Sequence, residues 1–169
     1  MLLICYGTRP EYLKVKPLME ALDRSRFKTL FTGQHVDLVD AVADYRIDIL
    51  SGDNRLDSLV ASIMDSVNFE SEGISRVLVQ GDTTSAFAVA LSAFHHKIEV
   101  IHLEAGLRTY DLEHPYPEEA NRQMISRIAS LHLCPTELAK ERLLSEKVSG
   151  RIEVVGNTVL DNLRGVATS

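Results

Sequence analysis

Three acidic and two basic residues in this sequence stand at polar turns or at the helix starts beside them. Asp82 lies in Gly81-Asp82-Thr83-Thr84 and Glu104 in Glu104-Ala105-Gly106-Leu107-Arg108, each directly after an apolar, strand-like run. Glu118 follows Pro117 at the start of a helical stretch. Carboxylates gathered in this way are suited to general acid and base work, moving a proton on and off a substrate. Arg9 and Lys14 flank another such turn, Gly7-Thr8-Arg9-Pro10-Glu11, and offer two cations to an anion. A strand-to-helix turn adds unpaired backbone N–H groups and the positive helix end. Acids beside cations fit acid/base chemistry on a substrate with an anionic leaving group. Gln34 and His35 after Gly33, Arg108, and Asn157-Thr158 after Gly156 occupy the same kind of junction and are further candidates for a shared cleft.

Each of these residues also has a plainer reading. The glycines permit tight turns, and Asp82-Thr83-Thr84 can simply cap a helix. Glu118 is an acid in a first helical turn, where the dipole favours it, and Lys14 fits a solvated helix face. Several chemistries are disfavoured outright. Gly7-Thr8-Arg9-Pro10-Glu11 lacks the later glycines of the dinucleotide fingerprint, and no Gly-rich loop ends in Gly-Lys-Ser/Thr. The histidines His35, His95, His96, His102, His114 and His132 lack metal-ligand spacing, and His95-His96-Lys97 reads as the favourably charged end of a helix. No metal site is expected. Cys5 and Cys134 lie in distant apolar stretches and read as reduced core residues of a cytoplasmic protein.

The elements that must carry these residues alternate regularly. Strands are expected at 2–6, 28–32, 47–49, 76–79, 99–103, 131–133 and 152–155. Helices are expected at 12–23, 36–45, 56–69, 85–94, 118–129, 137–146 and 159–163. A turn, Ser51-Gly52-Asp53-Asn54, precedes the third helix, in which Leu59, Ile63 and Val67 recur four apart with Val60 and Met64 beside them. The strands are nearly continuous apolar runs, the mark of a mainly parallel sheet covered on both faces. Right-handed crossovers then give one α/β, doubly wound, Rossmann-like domain of six or seven strands spanning residues 1–169. In such a sheet ligands bind beyond the carboxyl ends of the strands, which is where the polar junctions fall.

Composition sets the outer limits. The chain has 169 residues, 45% of them hydrophobic, and 18 Lys+Arg against 24 Asp+Glu give a net charge of −6. A chain of this length buries about 70% of its unfolded surface, enough for one core. Net negative charge argues against gripping nucleic acid through a general basic field. No apolar run approaches the ~18–20 residues that span a bilayer, and Met1 leads straight into a strand without the basic region of a signal peptide.

Five ordered motifs now carry a resemblance. They are Gly7-Thr8-Arg9-Pro10-Glu11 with Lys14 and Pro17; Gly81-Asp82-Thr83-Thr84; His102-Leu103-Glu104-Ala105-Gly106-Leu107-Arg108-Thr109; Pro115-Tyr116-Pro117-Glu118-Glu119-Ala120-Asn121-Arg122; and Gly156-Asn157-Thr158-Val159 with Asp161. Together they resemble the non-hydrolysing UDP-N-acetylglucosamine 2-epimerases. The resemblance implies a glycosyltransferase-B-like architecture of two Rossmann-like domains, of which this chain matches the N-terminal one; the C-terminal, UDP-binding domain has no counterpart here. It implies interconversion of UDP-GlcNAc and UDP-ManNAc at sugar C2 through elimination and re-addition of UDP, with no metal or nicotinamide. Asp82, Glu104 and Glu118 become the acid/base carboxylates, Arg9 a diphosphate contact and Lys14 a supporting cation. The family is commonly dimeric. Two features depart from it: Glu113-His114 stands before Pro115 where many members carry an aromatic residue and Ser, and 51–55 lacks the Gln-bearing pattern of a regulatory site. A non-catalytic binding or assembly module of the same fold, a hydrolysing epimerase and a glycosyltransferase are the alternatives.

Overall fold

The computed structural model describes residues 1–33, 43–49, 52–69, 73–158 and 160. Seven strands form one sheet: β1 (Leu2–Tyr6), β2 (Phe27–Phe31), β3 (Tyr45–Arg46), β4 (Arg76–Gln80), β5 (Glu99–Leu103), β6 (Leu131–Cys134) and β7 (Arg151–Val154). Among the described residues five α-helices accompany them: α1 (Arg9–Ala21), α2 (Arg55–Ser66), α3 (Thr84–His95), α4 (Glu118–Ile128) and α5 (Glu137–Ser145). The sheet order is β3-β2-β1-β4-β5-β6-β7, and every pairing is parallel. The chain runs outward from β1 to β3, then returns to β4 and proceeds the other way. The fold is therefore a doubly wound Rossmann sheet whose topological switch point lies between β1 and β4.

Period-2 alternation divides β1 between the two layers of core. Leu3 and Cys5 pack with Leu30, Val77, Val79, Ile63 and Ile125, while Ile4 and Tyr6 pack with Val15, Phe27, Phe31, Leu78 and Leu103. Helix α3 buries Ala86, Ala88, Val89, Ala90 and Ala93 and packs against both α2 and α4. Its small side chains let two neighbouring helices close over it, as expected of a helix that is apolar all round.

Helix starts are set by caps more than by apolar periodicity. α1 begins at Arg9, three residues before the expected start, because Thr8 and Glu11 form a reciprocal capping box and Pro10 fits the first turn. The expected edge strand at 47–49 is found at Tyr45–Arg46, paired with Leu30 and Phe31. The cause is Asp44, whose carboxylate accepts from the Thr29 N–H and hydroxyl and from Arg24, fixing the register two residues early. Of the expected helix at 36–45, residues 36–42 lie outside the described residues, and so does the final helix at 159–163 apart from Leu160.

The turn after β5 is held against α5. Gly106 has φ +88°, and a Cβ there would lie 2.3 Å from the carbonyl oxygen of Ala139. A substitution meets both backbone strain and a backbone clash. Gly106→Ala is expected to cost about 2–4 kcal/mol of stability, read as a lowered midpoint in thermal unfolding. An unchanged midpoint would show that α5 does not press on this turn.

Candidate active site

The carboxyl ends of β1, β4 and β5 bring their turns together. Glu11 ties the first two across the switch point. Its Oε2 accepts from the N–H groups of Gly7 and Thr8, each at 2.7 Å, and its Oε1 accepts from the Thr83 hydroxyl at 2.6 Å. Burial pushes the Glu11 carboxyl above its ordinary range, against the opposing pull of these hydrogen bonds. This changes one expectation. Backbone N–H groups that the β1 turn was expected to offer an anion are taken up by Glu11 and Thr8, which leaves Arg9 as the feature of that turn facing solvent.

Glu104 sits at the tip of the β5 turn in a left-handed conformation, φ +67°. A non-glycine residue in that region costs about 1–2 kcal/mol, a strain that clusters at functional sites. Its Oε2 accepts from Lys14 Nζ at 2.6 Å and from the Gln80 amide. Lys14 thus points at an acid and not at open solvent, and α1 is joined to β5 across the switch point. Asp82 lies one turn away, with its carboxylate Oδ2 2.6 Å from Arg122 Nη2. Burial raises the Asp82 carboxyl; Arg122 opposes this, and the negative charges of Glu104 and Glu118 raise it again. The charges of Glu104 and Glu118 are thus felt at Asp82.

Glu118 stands at the start of α4. Pro117 makes no side-chain cap, so the acids of the first turn, Glu118 and Glu119, face the positive helix end. Residues 118, 121 and 122 share one helix face, and that face lies on the Asp82 turn. Asn121 Nδ2 donates to the Asp82 carbonyl at 3.0 Å, beside the Arg122 ion pair. From the sheet, His102 holds the preceding peptide, with Nε2 2.7 Å from the Gly81 carbonyl. Since a carbonyl only accepts, Nε2 carries the proton, and burial pushes the imidazole down to about 3, so it is neutral.

The remaining candidates divide. Asn157 and Thr158 line a small hollow together with Lys14, Glu104, Pro135 and Gly156. Arg9 stands exposed at the start of α1. Arg108 does not join them. Its guanidinium is fully buried, pairs with Glu146 at 2.8 Å and bonds Ser126, so it anchors α4 and α5 to the β5 loop. Gln34 and His35 lie outside the described residues. Arg122, Asn121, Gln80, His102 and Glu11 were not singled out as site residues by sequence reasoning. The signal available for two of them was helical spacing, since 121 and 122 fall three and four residues after Glu118.

A cavity of about 400 Å³ near the β3 edge, lined by Leu3, Leu30, Tyr45, Ile47 and Val67 among others, holds none of the three carboxylates. Among the described residues no three His, Cys, Asp or Glu side chains converge as metal ligands, and no helix is long and apolar enough to cross a membrane.

The sequence and the fold are shared with known proteins. Residues 20–169 match the family model for UDP-N-acetylglucosamine 2-epimerase. The chain belongs to this family. It is 41% identical over 174 aligned positions to the UDP-N-acetylglucosamine 2-epimerase of Neisseria meningitidis serogroup A, covering 95% of this chain and 47% of that protein. The Escherichia coli K12 enzyme is 40% identical, with 95% and 46% covered. Among solved structures, the Neisseria meningitidis UDP-GlcNAc 2-epimerase bound to UDP-GlcNAc superposes with a TM-score of 0.91 at 39% identity, over 99% of this chain and 49% of that one. The Methanocaldococcus jannaschii UDP-GlcNAc 2-epimerase in complex with UDP-GlcNAc and UDP gives 0.88 at 34% identity, over 99% and 49%. This epimerase-family chain therefore spans about half the length of its relatives.

Proposed function

We propose that the chain supplies the acid/base half of a UDP-N-acetylglucosamine 2-epimerase, which interconverts UDP-GlcNAc and UDP-ManNAc. The observation that carries this reading is the meeting of the Asp82 and Glu104 turns with the start of α4 at the switch point, with Lys14 bonded to Glu104 and Arg122 to Asp82. Relatives captured with UDP-GlcNAc or UDP supply the substrate class. In this reading a second Rossmann-like domain closes over the crevice and holds the uridine diphosphate. The assembled protein acts in the cytoplasm as a dimer.

The chemistry follows from the weakness of the acid to be removed. The C2 hydrogen is not next to a carbonyl, and a carboxylate with an ordinary pKa near 4 is a poor base for it. Proton removal therefore proceeds with departure of the diphosphate. The C2–H electron pair becomes the C1=C2 double bond of a 2-acetamidoglucal, and the C1–O pair leaves with UDP. Re-addition reverses these steps, with the proton returned to the opposite face of C2. One carboxylate takes the proton and another gives it back. The two roles are assigned to the group of carboxylates and not to single members of it. The exchange is redox-neutral and needs no nicotinamide. General acid/base transfer contributes roughly 10²–10⁴-fold, or about 3–5 kcal/mol. Charge developing on the diphosphate must be stabilised as well, and this reading assigns that task to Lys14, at the crevice, and to the exposed Arg9.

The test is reconstitution. The chain, mixed with or fused to the remaining half of its Neisseria relative, is expected to form UDP-ManNAc from UDP-GlcNAc, followed by proton NMR of the sugar. A folded complex that leaves UDP-GlcNAc unchanged would overturn the proposal. Release of free ManNAc would instead mark a hydrolysing enzyme.

A further inference from the structure

The Asp82 turn is fixed at almost every point except its carboxylate. Asn121 holds the Asp82 carbonyl, His102 holds the Gly81 carbonyl, and Glu11 holds the Thr83 hydroxyl. The freedom left is rotation of one side chain and gain or loss of one proton. Both are constrained by Arg122, whose Nη2 lies 2.6 Å from Oδ2. Arg122 is itself held in place. Its Nη1 lies 3.4 Å from Oε2 of Glu119, a fully buried carboxylate that also accepts from the N–H groups of Thr109 and Tyr110 and from Gln123. Burial raises Glu119, but these donors together with Arg122 outweigh it and keep the carboxyl below its ordinary range. Glu119 thus aims the guanidinium.

Building on the function proposed above, we infer that Arg122 is a positioning residue of the acid/base group: aimed by Glu119, its guanidinium pairs with the Asp82 carboxylate and directs it within the crevice. The charged groups facing Asp82 are Arg122 and Glu118 from α4 and Glu104 from the end of β5, with Lys14 of α1 already committed to Glu104. Two of the groups acting directly on Asp82 are anions, so Arg122 is the cation that offsets them. Glu119 and Arg122 work as a pair on one helix face, three residues apart.

The experiment follows the carboxylate directly. The side-chain carboxyl carbon of Asp82 is titrated by NMR in the chain, assigned by its loss in Asp82→Asn, and compared in Arg122→Met, Arg122→Gln and Arg122→Lys. Removing an opposite charge within ion-pair distance raises a carboxyl pKa, so Met and Gln are each expected to move the Asp82 midpoint up by about 1–3 pH units. Lys, which keeps the charge, is expected to recover at least half of that shift. In the reconstituted enzyme the acid limb of the kcat profile is expected to move up in step. Activity then falls more at the acid end of the profile than at pH 8. Gln keeps a hydrogen-bond donor for Glu119 and serves if Met fails to fold. An Asp82 midpoint that stays put in both neutral variants overturns the inference. A midpoint that moves in a protein without epimerase activity upholds the role of Arg122 and overturns the proposed function instead.

Discussion

Glu104→Gln is expected to lower kcat of the reconstituted epimerase by at least about 10³-fold while leaving KM within a few-fold. Gln keeps the shape of the side chain, so the strained turn at φ +67° and the donation from Gln80 have a near-isosteric partner. What is lost is the negative charge and the basic oxygen, which matter when a proton leaves or rejoins C2. Substrate grip rests mainly on the diphosphate, and unpairing Lys14 from Glu104 does not weaken a cation's hold on an anion. The same variant in D₂O is expected to lose deuterium wash-in at C2 in proportion to turnover. Unchanged turnover and wash-in would favour the alternative reading of the chain as a non-catalytic binding module.

Much of this site was legible because a parallel sheet places strand ends on one rim. Once β1, β4 and β5 are recognised as apolar runs, Asp82 and Glu104 must emerge on the same edge, and Lys14, one turn into α1, must stand near them. The element order and the number of strands follow from the same alternation. Legibility ends where a side chain's partner lies far along the chain. Arg108 adjoins the β5 motif in sequence, but the turn reverses through Glu104 and Gly106, both at positive φ. The side chain then runs beneath the loop to Ser126 and Glu146, 18 and 38 residues away. Its proximity in sequence to Glu104 carried no information about direction.

Arg122 shows the converse. It lies 40 residues from Asp82, and nothing local marks it as more than a solvated helix residue. Its spacing from Glu118 was present to be read, but only the packing of α4 on the β4 turn makes that face meaningful. The β3 register failed for a similar reason. Asp44 looked like part of a helix until Thr29, 15 residues earlier, supplied two donors for its carboxylate. Periodicity reports which residues are apolar. It says little about which polar side chain finishes another element's hydrogen bonds.

Lys14→Met separates two tasks that the geometry assigns to one ammonium group. If Lys14 stabilises the departing diphosphate, the variant is expected to lose about 10²–10³-fold in kcat, the range for removing one donor to a developing anion. KM is expected to rise as well, because the diphosphate is charged before the bond breaks. If Lys14 only steadies Glu104, to which it is bonded at 2.6 Å, its loss acts through that carboxylate alone. A double-mutant cycle distinguishes the two, since coupled groups are non-additive and independent ones add. In a Glu104→Gln background, a diphosphate contact still costs UDP affinity, by about tenfold or ~1.4 kcal/mol in calorimetry. A lysine acting only through Glu104 costs nothing there. The first outcome is expected, because Lys14 lines the small hollow shared with Asn157 and Thr158 as well as bonding Glu104. UDP binding that is indifferent to Lys14 in both backgrounds would leave Arg9 as the diphosphate's cation on this half of the cleft.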